Sequence, residues 1–151
     1  MPDRIKVDDR FTIEVAPPSP ERLTELAQEG FRSVVSLRTP GEANEILSPD
    51  REGELARQHG LAFVNVPVSP QDMNYDVADR FNEEVPRLPG PVVVHCASGL
   101  RAGLFTFMHV ARTQGWDGDE AVKRAEQLGF AFGTPEAKDF LKRYIDRGKA
   151  E

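Results

Sequence analysis

The segment "VVVHCASGLRAG", residues 92–103, decides how the chain is read. With Pro91 it gives a continuous apolar run ending in His95 and Cys96, the pattern of a strand covered on both faces. Small residues follow: Ala97, Ser98, Gly99 and Leu100, then Arg101 and a helix predicted from about Ala102 to Thr113. A strand-to-helix turn of this kind can fold its backbone N–H groups inward as a nest, and the helix N-terminus adds partial positive charge at the same point. Gly99 can take a positive φ, and Gly103 is expected to let the first helical turn pack closely against the sheet. Such surroundings favour a thiolate: an ordinary cysteine titrates near ~8.5 and a helix N-terminus beside a cation lowers that by several units. A change of ~3 units is about 4 kcal/mol of preference for the ionised form. Arg101 could clamp an anion through both arms of its guanidinium, which lysine does less well. Nucleophile, amide cradle and guanidinium together describe covalent catalysis on an oxyanion. The plain alternative is a small buried hydrophobe ending a core strand; the "SGLR" that follows weighs against it.

Outward from this segment, strands and helices alternate. "RIKV" and "FTIEV" read as two short strands joined by a tight "DD" turn. "APPSPERLTELAQEG" is a helix with Ser19 as N-cap, Pro20 at the first position and Gly30 as terminator, and Ser48, Pro49 and Gly60 repeat that logic. "SVVSL" and "LAFVNVPV" are strands, and residues 75–88 are predicted as one helix with Val77, Phe81 and Val85 on one face. Asp117 and Glu120 fit a capping box, and a last helix starts at Thr134-Pro135. The alternation predicts a single α/β domain over residues 1–151, a mainly parallel central sheet flanked by helices. Ligands of such sheets sit beyond the carboxyl ends of the strands, and Cys96 lies at such an end.

The chain has 151 residues and a formal net charge of −6, which argues against a general nucleic-acid binder and against anionic membrane surfaces. An anionic substrate would need a local positive site. With one cysteine no internal disulfide forms. The opening "MPDRIKVDDRF" lacks an apolar signal core and no run approaches the ~20 apolar residues of a membrane span, so a cytoplasmic location is expected. His59, His95 and His109 match no metal-site spacing with Cys96, and no cofactor is expected.

At the level of motifs the sequence resembles the cysteine-based phosphatase superfamily, in particular the bacterial beta-lactamase-hydrolase-like phosphatase family, relatives of the dual-specificity phosphatases. The matching stretches are "PSPERLTELAQEGFRSVVSLRTPGE" at 18–42, "GLAFVNVPVS" at 60–69, the helix at 75–88 and "VVVHCASGLRAG". The resemblance implies a dual-specificity-phosphatase-like fold and metal-independent hydrolysis of a phosphomonoester. It implies Cys96 as nucleophile, Arg101 as anion-binding arginine, the loop residues 97–100 around the substrate, and Asp72 as general acid. It further implies Arg38 and Glu42 as a supporting charged pair. Three departures carry chemical weight. The loop between Cys96 and Arg101 is one residue shorter than in most such phosphatases, which removes up to about 3.3–3.6 Å of contour; this is the spacing of rhodanese sulfurtransferases. Ala102 stands where a serine or threonine usually follows the arginine. "APP" at 16–18 replaces a "GQP"-like turn.

Each residue also has a simpler reading. His95 points to the face opposite Cys96 in an alternating strand, so it supports the loop through backbone hydrogen bonds rather than acting as a base. Asp72, like Asn74, could cap a helix; Arg38 could be a surface charge; Ser98 could face the thiolate or solvent. Phe130, Phe132 and Trp116 are read as packing. Three functions follow: a cysteine phosphatase acting on an anionic small molecule or a phosphoprotein, a sulfurtransferase carrying a persulfide on Cys96, or a non-catalytic anion- or partner-binding domain that keeps the loop.

Overall fold

A computed structural model describes residues 1–43 and 45–149. The chain opens with an antiparallel hairpin, β1 (Arg4–Lys6) and β2 (Phe11–Glu14). The Asp8 carboxylate closes its turn by accepting the N–H groups of Arg10 and Phe11 at 2.9 and 2.7 Å. There follow α1 (Pro20–Gln28), β3 (Ser33–Ser36), α2 (Pro49–Gln58), β4 (Ala62–Asn65), α3 (Tyr75–Glu84), β5 (Val92–His95), α4 (Leu100–Gln114), α5 (Gly118–Gln127) and α6 (Pro135–Lys149). The sheet order is β1-β2-β5-β3-β4, with β2, β5, β3 and β4 parallel. The α/β architecture predicted from the alternation is therefore the one observed, and the hairpin supplies the antiparallel edge.

β5 is the central strand, and its valines are buried on both sides. Val93 packs with Leu23, Leu26, Val34, Ala56 and Leu61 under α1 and α2. Val92, Val94 and Cys96 join the larger core under α3 to α6, with Phe81, Phe105 and Leu141. Burying one such side chain contributes ~1.5–3 kcal/mol, which is why a short strand with no polar face can hold the middle of the sheet. No helix among the described residues is long and apolar enough to cross a membrane.

The helix starts follow the sequence. Ser19 Oγ accepts the N–H of Arg22 and Ser48 Oγ that of Arg51, both at 3.1 Å. Asp117 and Thr134 do the same for Glu120 and Ala137 at 2.8 and 3.2 Å. Each cap stabilises its helix by ~1 kcal/mol. Three expectations need correction. The helix predicted over 75–88 is α-helical only to Glu84 and tightens into a 3-10 turn at Val85–Arg87, because Pro86 lacks an N–H and its ring crowds the preceding turn. Phe81 and Val85 are nonetheless fully buried. The helix expected from Ala102 starts at Leu100, which shortens the turn after Cys96. Gly103 makes room for Phe130 rather than for the sheet: an added Cβ would stand 2.0 Å from the Phe130 ring.

Candidate active site

Parallel pairing sets the site. Ser36 lies opposite His95, and the Leu37 N–H donates to the His95 carbonyl at 3.0 Å. The exits of β3 and β5 are thus adjacent, and Leu37-Arg38 runs beside Cys96. The Cys96 side chain is fully buried on the α4 side of the sheet. Its Sγ accepts the N–H of Gly99 at 3.2 Å and of Ala102 at 3.4 Å. These are donors that the start of an α-helix cannot satisfy internally. Gly99 is the N-cap at φ 96° with no side-chain cap bond, a backbone geometry that a residue with a Cβ adopts only under strain. The left-handed turn leaves the first amides of α4 aimed at the sulfur.

Arg101 follows one residue into α4 and turns back over the strand ends, 4 % exposed. Its Nη1 donates to the Val68 carbonyl at 2.8 Å and more weakly to that of Leu37 at 3.4 Å. Nη1 and Nη2 together engage both oxygens of Glu42 at 2.7 and 2.8 Å, a two-armed guanidinium–carboxylate pair. Burial would lower the Arg101 pKa, but the hydrogen bond to Glu42 and the charges of Cys96 and Glu42 raise it on balance. Glu42 mirrors this. Burial alone would raise its pKa, yet the bonds from Arg101 and from the N–H and hydroxyl of Thr39, with the Arg101 charge, hold it down at about 2. Thr39 reaches Glu42 Oε2 through its N–H at 2.7 Å and its Oγ1 at 2.9 Å.

Arg38 is not a surface charge. Its side chain is 2 % exposed, with Nε 3.9 Å from Glu42 Oε1. Its Nε and Nη2 are buried without a hydrogen-bond partner. Asn65 anchors the backbone here, donating to the carbonyls of Ser36 at 2.9 Å and Arg38 at 3.0 Å.

The structure therefore gathers Cys96, Gly99, Ala102, Arg101, Glu42 and Arg38 at the carboxyl ends of β5 and β3. Ala97 and Leu100 are half-buried and Ser98 is exposed, so the Ser98 hydroxyl faces solvent and not the sulfur. Met1 and Val15 lie against Gly99, 3.3 Å from where a Cβ would stand. Asp72 sits exposed in the connection from β4 to α3. Its N–H donates to the Ser69 carbonyl at 3.0 Å, and its carboxylate makes no hydrogen bond or ion pair among the described residues. The capping alternative falls to Asn74, whose Oδ1 accepts the Val77 N–H at 3.1 Å. Asp72 makes no hydrogen bond or ion pair with Cys96 or Arg101, but Val68, four residues earlier in the same connection, holds Arg101.

His95 faces away from Cys96, as alternation requires, but it does not hydrogen-bond the loop backbone. Its Nε2 meets Glu52 Oε2 at 2.5 Å, and both side chains are almost wholly buried. Glu52 escaped the sequence reading because an acid in the first turn of a helix has an ordinary explanation in the helix dipole. Thr39 was legible in principle: "TPGE" at 39–42 has the spacing of a capping box without a helix behind it. The carbonyls of Leu37 and Val68, which steer Arg101, leave no side-chain signal.

Known proteins resemble this chain in sequence and in fold. The beta-lactamase hydrolase-like protein of Xylella fastidiosa strain Temecula1 is 31% identical over 129 residues, covering 85% of this chain and 29% of that protein. The chain thus spans under a third of the length of the curated relatives it matches. Among solved structures, Tk-PTP in its active form superposes with a TM-score of 0.74 at 22% identity, over 97% of this chain and 98% of that one. The core catalytic domain of the PP-IP phosphatase SIW14 from S. cerevisiae gives 0.73 at 16%, over 99% and 91%. At these identities the likeness concerns the fold. The family model for the phosphatase-like domain of beta-lactamase hydrolase-like proteins matches residues 8–113, a span that includes β2 to β5, Glu42, Asp72 and the Cys96–Arg101 loop. The chain belongs to that family, the phosphatase-like domain of the beta-lactamase hydrolase-like proteins.

Proposed function

We propose that the protein is a cysteine-dependent phosphatase that cleaves a phosphomonoester through a phosphocysteine. The observation that carries this reading is the convergence on one sulfur: two backbone N–H donors from the start of α4 point at Cys96 Sγ, while the same turn of helix carries a buried arginine fixed by Glu42. Family membership and the tyrosine-phosphatase-like fold support it.

In this reading the Cys96 thiolate attacks phosphorus, forming the S–P bond as the ester P–O bond breaks. The leaving oxygen takes a proton from the Asp72 carboxylic acid. Water then attacks the phosphocysteine and gives its proton to the Asp72 carboxylate; inorganic phosphate departs and the thiolate is restored. The amides of the loop and the Arg101 guanidinium stabilise the charge on the equatorial oxygens, which is where such sites lower the barrier most. Asp72 suits the acid role because its carboxylate is exposed and unpaired, on a connection tied to Arg101 through Val68.

The test is an aryl phosphate assay. Cys96→Ser abolishes turnover while the fold persists, and Arg101→Ala loses ~10²–10³ or more in rate, the cost of removing one oxyanion donor. Undiminished turnover by Cys96→Ser refutes the assignment. The short loop favours a second reading, sulfur transfer from a thiosulfate-like donor to a thiol through a Cys96 persulfide. Asp72→Asn separates the two: a phosphatase loses rate on esters with poor leaving groups, whereas sulfur transfer to a thiol is indifferent.

A further inference from the structure

A fully buried guanidinium with two donors facing no acceptor is rare, because each unmet donor has given up its water and gained nothing in return. Arg38 is in that state: Nε and Nη2 are both buried and unpartnered. The nearest acid is Glu42, whose Oε1 lies 3.9 Å from Arg38 Nε but is hydrogen-bonded to Arg101 Nη2 at 2.8 Å. A movement of roughly 1 Å would bring that oxygen to ordinary hydrogen-bond length from Arg38. Glu42 thus stands between two buried arginines, bonded to one and just beyond reach of the other.

We infer that Glu42 Oε1 exchanges between them: it holds Arg101 Nη2 while the site is empty and passes to the Nε–Nη2 edge of Arg38 when an oxyanion engages Nη2. The inference rests on the phosphatase reading of the Cys96 loop. Three features support it. Arg101 cannot offer Nη2 to a substrate while it is committed to Glu42 Oε1. A carboxylate at that position repels an arriving dianion, and the low effective dielectric of a buried site strengthens that repulsion. Thr39 is the pivot: its N–H and Oγ1 both bind Oε2, so Oε1 can leave Arg101 Nη2 for Arg38 while Oε2 keeps Thr39 and Arg101 Nη1. Arg38 then acts as a positioning residue. It touches neither substrate nor sulfur, and its unmet donors supply the second resting place that makes the exchange two-state.

The experiment is a double-mutant cycle read by calorimetric binding of tungstate, a phosphate mimic, so that binding is seen without turnover. The proteins are wild type, Arg38→Met, Glu42→Gln and the pair, with Arg38→Lys as a second, charge-preserving probe and thermal melting to establish folding. The exchange predicts that Arg38→Met weakens tungstate at least 10-fold when Glu42 is present, because the carboxylate has nowhere to go. In the Glu42→Gln background, where no charge needs moving, the same change costs less than 2-fold. Arg38→Lys, which offers one donor nitrogen in place of two, falls between. Equal losses in both backgrounds assign Arg38 a structural role only and overturn the inference. The Lys cycle decides the same question if Arg38→Met does not fold. A folded wild type that binds no tungstate overturns the phosphatase reading itself, a result separate from unequal or equal losses within the cycle.

Discussion

Glu42→Gln converts the Arg101–Glu42 pair into a measurable pH dependence of stability. The Glu42 carboxyl titrates at about 2 instead of its ordinary 4.5, and its side chain is 13 % exposed, so solvent screens it little. At about 1.4 kcal/mol per pH unit the difference corresponds to about 3 kcal/mol of folded-state preference for the ionised form, in line with the ~3–5 kcal/mol measured on breaking buried pairs. The sign follows from proton uptake. Between pH 4.5 and 2 the unfolded chain binds the proton that folded Glu42 refuses, so stability falls as pH falls through that window; above it the contribution is complete. Urea unfolding of wild type and variant should therefore differ by about 3 kcal/mol at pH 7 and by less than about 1 kcal/mol at pH 2. Urea is preferable to guanidinium, whose ions would screen the pair. Other titrating groups are common to both proteins and cancel in the difference. A gap equal at pH 7 and pH 2 would mean that Glu42 acts by packing rather than charge, and would remove the electrostatic account of how Arg101 is fixed.

His109, wedged between the Phe11 and Phe81 rings, is held at about 4, first by burial and then by the charges of Arg10 and Arg112. Stability should therefore fall as pH drops from about 6.5 to 4, by up to about 3 kcal/mol, and His109→Gln should flatten that limb of a thermal-melt series. Gly103→Ala places a Cβ 2.0 Å from the buried Phe130 ring. The overpacking costs ~1–3 kcal/mol against up to ~1 kcal/mol gained in helix propensity; a lowered melting temperature that Phe130→Leu restores would confirm it, and an unchanged one would refute it. Glu52→Ala leaves His95 buried without its acceptor and should cost ~1–3 kcal/mol of stability. The rate of Cys96 alkylation should stay unchanged, because the pair lies on the opposite face of the sheet; a shifted rate would show that it tunes the sulfur after all.

How much of this was legible in the sequence depends on whether a residue's surroundings are set by its chain neighbours. The "VVVHC" run announced a buried central strand, and "SGLR" announced a helix start facing the thiol, because both are local patterns. The caps at Ser19, Ser48, Asp117 and Thr134 are local too. The third helix was overextended because apolar spacing continues through Val85 while Pro86 breaks the hydrogen-bond ladder, and the backbone rule prevails. Gly103 was assigned the wrong neighbour because Phe130 arrives from more than twenty residues away in sequence.

The burial that the sequence did not show has one cause. Arg38, Glu52 and His95 are polar residues at or next to strand and helix ends, positions where exposure is the ordinary outcome. Their burial comes from the parallel register, which sets Ser36 beside His95 and packs α2 across that face. The same register supplies what the loop alone could not: Arg101 is aimed by carbonyls of Leu37 and Val68 at the exits of β3 and β4. The Cys-to-Arg segment therefore specifies the sulfur and its amide donors, but it does not by itself specify where the guanidinium points. That direction is a property of the sheet, and it explains how a loop one residue short of the usual phosphatase length keeps a buried arginine at its site. The missing residue alters the path from Cys96 to α4, while the fixing points of Arg101 lie on strands outside the loop.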